Sequence, residues 1–233
     1  ESDKSSGFHT YTGLKKIIKN EISLSINSQV QFYLDTLDKD IKRIYSMQRE
    51  YINDDDLQKL SIASPVMNEF EKTQAIYRIL RQLQLMKNSS LYIKNASVHI
   101  PSINRTISTD HAVSEIQPEK YAFLKEDINT SKIHIVDWED RLFITAFPHP
   151  PIPTLKEPIF FLEIELSIQD INDALLKFVN YSNSGAFLMD KKGSWMIANQ
   201  QDIKNIHDLK LRFRDSGAEN TDEGAIPVTI DDE

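Results

Sequence analysis

The stretch Leu14–Tyr51, LKKIIKNEISLSINSQVQFYLDTLDKDIKRIYSMQREY, decides how the rest of the chain is read. Leu14, Ile18, Ile22, Ile26, Val30 and Leu34 recur every fourth residue. From Val30 the steps alternate between four and three, through Leu34, Leu37, Ile41, Ile44, Gln48 and Tyr51. No Pro or Gly interrupts the run, so the spacing predicts one helix of about 38 residues, about 57 Å long. A helix that long needs an architectural reason. Steps of four wind an apolar stripe around a helix of 3.6 residues per turn, whereas a 3.5 repeat holds one face steady. The helix therefore has two differently oriented faces to bury, as a stalk passing two successive modules would. A coiled-coil dimer using the same positions is the alternative, and the two are compatible if only the lower half of the helix self-associates.

Working outward, Asn53-Asp54-Asp55-Asp56 ends the stalk and offers caps for a short helix at Leu57–Ile62. Ser64-Pro65 predicts the start of a second long helix running to Lys87, with Val66, Phe70, Thr73, Tyr77 and Leu80 on one stripe and Ile76, Leu83 and Met86 beside it. After Asn88-Ser89-Ser90 the texture changes to period two. Leu91–Ile100 and Arg105–Ser108 read as paired strands, Pro118–Asp127 as a short helix, and Lys132–Asp137 with Arg141–Phe147 as a hairpin about Glu139-Asp140. The run from Pro148 to Pro153 is a linker. A shorter cycle follows: a strand at Ile159–Ser167, a helix at Gln169–Asn180, and a hairpin of Ala186–Asp190 with Ser194–Ala198. Ile203–Phe213 is ambiguous, and Gly224–Ile230 starts another strand. The order predicts an α+β chain with a stalk over residues 1–60 and two antiparallel modules, residues 61–157 and 158–233, the second incomplete.

Composition excludes several functions. The 233 residues carry a net charge of −8 with no basic run, which argues against a nucleic-acid groove or a polybasic lipid patch. There are no cysteines, so disulfides, thiolate catalysis and zinc–thiolate sites are out. No apolar stretch approaches the ~20 residues of a membrane helix, so any anchor is expected outside these residues.

In this order of elements the chain resembles the double Cache (PAS-like) sensor domains of bacterial histidine kinases and chemoreceptors. The texture is most similar to the kinases paired with AraC-type response regulators. The stretches that carry the likeness are Asn27–Tyr51 with Asp56-Leu57, the strand Ser90-Leu91-Tyr92-Ile93-Lys94-Asn95-Ala96, and Phe161-Leu162-Glu163-Ile164-Glu165-Leu166, followed by Phe187–Ser194. The resemblance implies an extracytoplasmic domain at the cell membrane, between two flanking spans. It also implies a membrane-distal ligand module, a membrane-proximal module, and a homodimer in the full-length receptor. Its ligand would be a small solute such as a carbohydrate, or a solute-loaded binding protein. Family members that bind amino acids use an Arg-x-Trp pair, and here the short helix reads Glu119-Lys120-Tyr121-Ala122-Phe123-Leu124 without it.

The six histidines lack metal-ligand spacing, no serine sits in a nucleophile elbow, and six glycines leave no phosphate loop. Neither catalytic residues, metal nor cofactor are expected. The candidate ligand-binding residues are Tyr92, Tyr121, Trp138, Arg141 and Phe147, aromatic faces with a fixed donor, as a pocket for a small polar solute requires. The same aromatics also suit a hydrophobic core, and Arg141 a solvated turn. Outside the receptor class, the alternative is a secreted solute-binding protein or enzyme with an unusual N-terminal helix.

Overall fold

In the computed structural model the described residues are 5–126, 135–148, 158–177, 187–189 and 194–198, with side chains from residue 28 onward. Helix α1 (Ser5–Tyr51) runs unbroken for 47 residues, about 70 Å at the α-helical rise. Tyr33, Leu37, Ile41, Ile44 and Gln48 are buried, so the alternating steps of four and three do define the face that meets the body. The earlier stripe, Leu14 to Ile26, lies outside the described side chains. Gln48 is fully buried in that seam, where its Nε2 donates to the Ile144 carbonyl at 3.0 Å.

Helix α2 (Asp55–Ile62) is capped by Asp54, whose carboxylate accepts from the backbone N–H groups of Asp56 and Leu57. Helix α3 (Glu69–Lys87) starts later than Ser64-Pro65 suggests. Asn68 and Glu71 form a reciprocal capping box, with both bonds at 2.9 Å, which fixes the helix start at Glu69. The expected stripe is also corrected. The buried face of α3 is Ala75, Ile79, Leu83 and Met86, while Phe70 and Tyr77 are 72% and 65% exposed. Of these, Ile79, Leu83 and Met86 join the core that includes the sheet.

The strands are β1 (Ile93–Ile100), β2 (Arg105–Ser108), β3 (Ala112–Glu115), β4 (Ile135–Trp138), β5 (Arg141–Ala146) and β6 (Phe161–Leu166). They form one antiparallel sheet in the order β3-β2-β1-β6-β5-β4. Helix α4 (Pro118–Lys125) lies between β3 and β4 in sequence. Strand β6 was expected to open the membrane-proximal module and instead fills the centre of this sheet, pairing with β1 through Val98–Leu162 and with β5 through Ile144–Ile164. All six of its residues are buried, so both of its faces are covered. A boundary at residues 157 and 158 therefore cuts through the sheet.

Period-two alternation sorts the strands. Ala96, Val98 and Ile100, Leu142 and Ile144, and Leu162, Ile164 and Leu166 join the α1 and α3 residues in one apolar core. Beyond β6, helix α5 (Ile168–Leu176) is capped by Ser167 and buries Ile171 and Leu175 in that core. A hairpin of β7 (Phe187–Met189) with β8 (Met196–Ala198) follows, and Ile197 joins the core as well. The expected elements at Ile203–Phe213 and Gly224–Ile230 lie outside the described residues.

Candidate ligand-binding site

The face of the sheet turned away from the stalk is chemically different. The alternate residues there are Asn95, Ser97 and His99 on β1, Thr106 and Ser108 on β2, and Glu163 and Glu165 on β6, and all of them are buried. Burying so many polar groups is unfavourable unless each is hydrogen-bonded. The structure meets that demand with several hydrogen-bonded groups side by side. His99 Nε2 lies 2.7 Å from Glu163 Oε2, and His99 Nδ1 lies 2.9 Å from Thr106 Oγ1. Lys120, reaching down from α4, donates to Glu163 Oε1 at 2.6 Å and sits 4.3 Å from the centre of the Phe143 ring. Glu165 is gripped by Arg141 through both Nε and Nη2, and Lys94 approaches it at 2.9 Å. Asn95 donates to Ser97 and accepts from Thr109.

Burial pushes the Glu163 carboxyl up, but hydrogen bonding and charge from His99, and then Lys120, outweigh it and hold the group below the usual carboxylate range. Glu165 behaves alike: burial raises it, and Arg141 with Lys94 brings it below its ordinary value. Both carboxylates are therefore ionised near neutrality, in a layer shielded from water. There they have cationic partners, without which burial of a charge is costly.

An aromatic wall closes the same face. Tyr121 and Leu124 of α4 meet Phe143, Phe147 and Phe161 of the sheet in a second apolar cluster, with Trp138 packed at its edge. Phe161 lies 4.5 Å from the His99 ring and 5.2 Å from Phe147, centre to centre, and Phe123 covers Trp138 at 4.8 Å. The turn Glu139-Asp140 has positive φ at both residues, 52° and 58°, as a two-residue type I′ hairpin requires. It sets Trp138 and Arg141 directly opposite each other on one face. Trp138 and Arg141 are thus a cross-strand pair.

Of the five residues singled out by sequence, Tyr121, Trp138, Arg141 and Phe147 line this one face. Tyr92 does not. It precedes the irregularity in the β1–β6 register, packs against the stalk-side core, and is hydrogen-bonded to Tyr33 of α1. Sequence reasoning missed His99, Lys120, Glu163 and Glu165. The signal was available in FLEIEL, where two carboxylates alternate with aliphatic residues and must share a face once the strand is central. Among the described residues no His/Asp/Glu group is disposed to hold a metal ion.

No family model and no curated protein matches the sequence. Among solved structures, the chain is similar to the ligand-binding domain of the Campylobacter jejuni chemoreceptor Tlp3, solved in complex with 4-methylisoleucine. The TM-score is 0.50 at 12% identity, over 82% of this chain and 75% of that one. The two share a fold, a long N-terminal helix packed on a PAS-like antiparallel sheet. The mixed architecture expected from the sequence, an N-terminal helix against antiparallel PAS-like sheet, is what this likeness rests on.

Proposed function

We propose that the chain is the extracytoplasmic ligand-sensing domain of a membrane receptor, and that it holds a small solute on the polar face of the sheet beneath α4. One observation carries the reading. The sheet buries, on the face its stalk does not use, two hydrogen-bonded clusters of charged side chains, about Glu163 and about Glu165, beside an aromatic wall. Structural stability alone is served as well by apolar residues of similar volume, so such clusters suit recognition. The reading is non-catalytic: each carboxylate of the layer is engaged by neighbouring cations, an arrangement for orienting a guest and not for turnover.

Within this class we assign the output to a histidine kinase of the group paired with AraC-type regulators, on the resemblance of the stalk and of FLEIEL. A chemoreceptor is the second reading, favoured by the likeness in fold to a chemoreceptor domain. In either receptor the chain would work as a homodimer held by flanking membrane spans. No helix among the described residues is long and apolar enough to cross a membrane.

Thermal-shift screening of sugars, organic acids and amino acids tests the proposal, because a ligand that binds only the native state raises Tm. A hit that is lost in folded Trp138→Ala or Lys120→Gln protein supports this face. A hit indifferent to both would move the site elsewhere, and no hit at millimolar ligand would favour a solute-loaded binding protein as the partner.

A further inference from the structure

Among the described residues the charges of the polar face do not balance, and their imbalance points to a ligand class. This step rests on the reading of that face as the ligand site. Among the described residues the layer holds two carboxylates, Glu163 and Glu165, and three cations in direct contact with them, Lys94, Lys120 and Arg141. His99 adds a fourth nitrogen partner. The nearby Asp110 has its own cation, Lys87, at 3.6 Å.

Hydrogen-bond capacity leans the same way. Both oxygens of Glu163 are taken, one by Lys120 and one by His99. Both oxygens of Glu165 are taken by Arg141, with Lys94 sharing one of them. Each carboxylate oxygen already faces a cation or His99, so a ligand ammonium entering there would meet like charge. Among the described residues the cations, by contrast, keep donors to spare: an ammonium has three N–H groups and a guanidinium five. Lys120 spends one on Glu163, and Arg141 turns only Nε and Nη2 to Glu165. What the layer still offers is positive charge and N–H donors, set beside the rings of Phe143, Phe161 and Tyr121.

We propose that this face takes a small organic anion, a monocarboxylate with an apolar body, its carboxylate reaching Lys120 and Arg141 and its body lying on the aromatic wall. Free α-amino acids are selected against, because the buried carboxylates that would hold their ammonium already face resident cations.

Calorimetric titration with two matched sets tests this: hexanoate, hexanol, hexylamine and norleucine, and phenylacetate with its alcohol, amine and α-amino counterparts. At least one acid is expected to bind about tenfold or more tightly than its alcohol, amine and amino-acid analogues, which is about 1.4 kcal/mol. Lys120→Gln should weaken that acid severalfold and Lys120→Arg should preserve it. Lys94→Gln should also weaken it while leaving the fold intact, since Lys94 is largely exposed and Glu165 keeps Arg141. An amine or amino acid binding as tightly as its acid would overturn the anion assignment, and loss of that binding in Lys120→Gln would leave the site reading standing. Acid binding untouched by Lys94→Gln and Lys120→Gln in folded protein would overturn both. If no acid of either set binds, the anion assignment is wrong, and the broader screen decides the site.

Discussion

His99 and Glu163 face each other across the central strand pair, Nε2 to Oε2 at 2.7 Å, with neither side chain open to solvent. Their strands pair through His99–Phe161 and Ser97–Glu163, so the contact is a diagonal one across the β1–β6 ladder. It joins residues far apart in sequence and ties the first strand of the sheet to the last.

Acid should weaken the fold through this contact. Glu163 and Glu165 hold their protons less tightly in the native state than in the unfolded chain. As pH falls, the unfolded state therefore takes up protons first. The contribution of the pair is complete above the unfolded glutamate value, about 4.3, and is lost as pH drops through the lower native range. Denaturant titrations at stepwise lower pH should show this decline, and Glu163→Gln should make it shallower. At neutral pH, Glu163→Gln strands Lys120 and should cost on the order of 3–5 kcal/mol.

The stalk seam should be as sensitive as any core. Ile44 has no exposed surface and Leu37 is 8% exposed. Ile44→Ala should cost about 2–5 kcal/mol by leaving a cavity. Leu37→Asp buries an unpaired charge and should cost several kcal/mol more than a surface change. Melting temperatures unchanged in both would mean that α1 does not pack on the sheet in solution.

The α3 capping box offers a smaller, cleaner effect. Asn68→Ala removes the side-chain acceptor for the Glu71 N–H and should lower stability by about 1 kcal/mol. Asn68→Asp should retain most of it. Chemical denaturation with an unchanged m-value would confirm that only the helix start is affected.

Tyr77 gives the opposite case. Its ring is exposed although the sequence stripe marked it for burial. Tyr77→Gln should alter stability by no more than ~0.5 kcal/mol. A loss of several kcal/mol would restore the stripe expected from sequence.

The stalk was legible because its signal is local: an uninterrupted 3.5-residue repeat forces one face inward wherever the sheet lies. The same holds for the β4–β5 hairpin, whose Glu139-Asp140 turn fixes its own register. Strand β3 was invisible because Ala112–Glu115 is short and mostly exposed, and is held by its ladder to β2 and not by its own side chains. Membership of β6 was misread for the opposite reason. Its character as a strand is local, but its neighbours are strands that end at Ala146 and at Ile100, well upstream of Phe161. The site followed suit. Aromatic residues announced themselves, whereas His99, Lys120 and Glu163 mean little until three separate elements bring their tips together.

The position of β6 also dictates an order of events in folding. Without it the sheet is two unconnected pieces, β1–β3 and β4–β5, each a local hairpin assembly that closes quickly. Joining them requires Val98 to meet Leu162, a contact spanning more than sixty residues of chain. Such closure carries a large entropic cost before any pairing repays it, which places the insertion of β6 late and makes it slow. Until then, β1 and β5 each present an unpaired edge flanked by buried-type aliphatic residues. A nascent chain that has emerged only as far as Pro158 carries both edges open at once, and this is the stage at which it most needs protection from strand-to-strand aggregation.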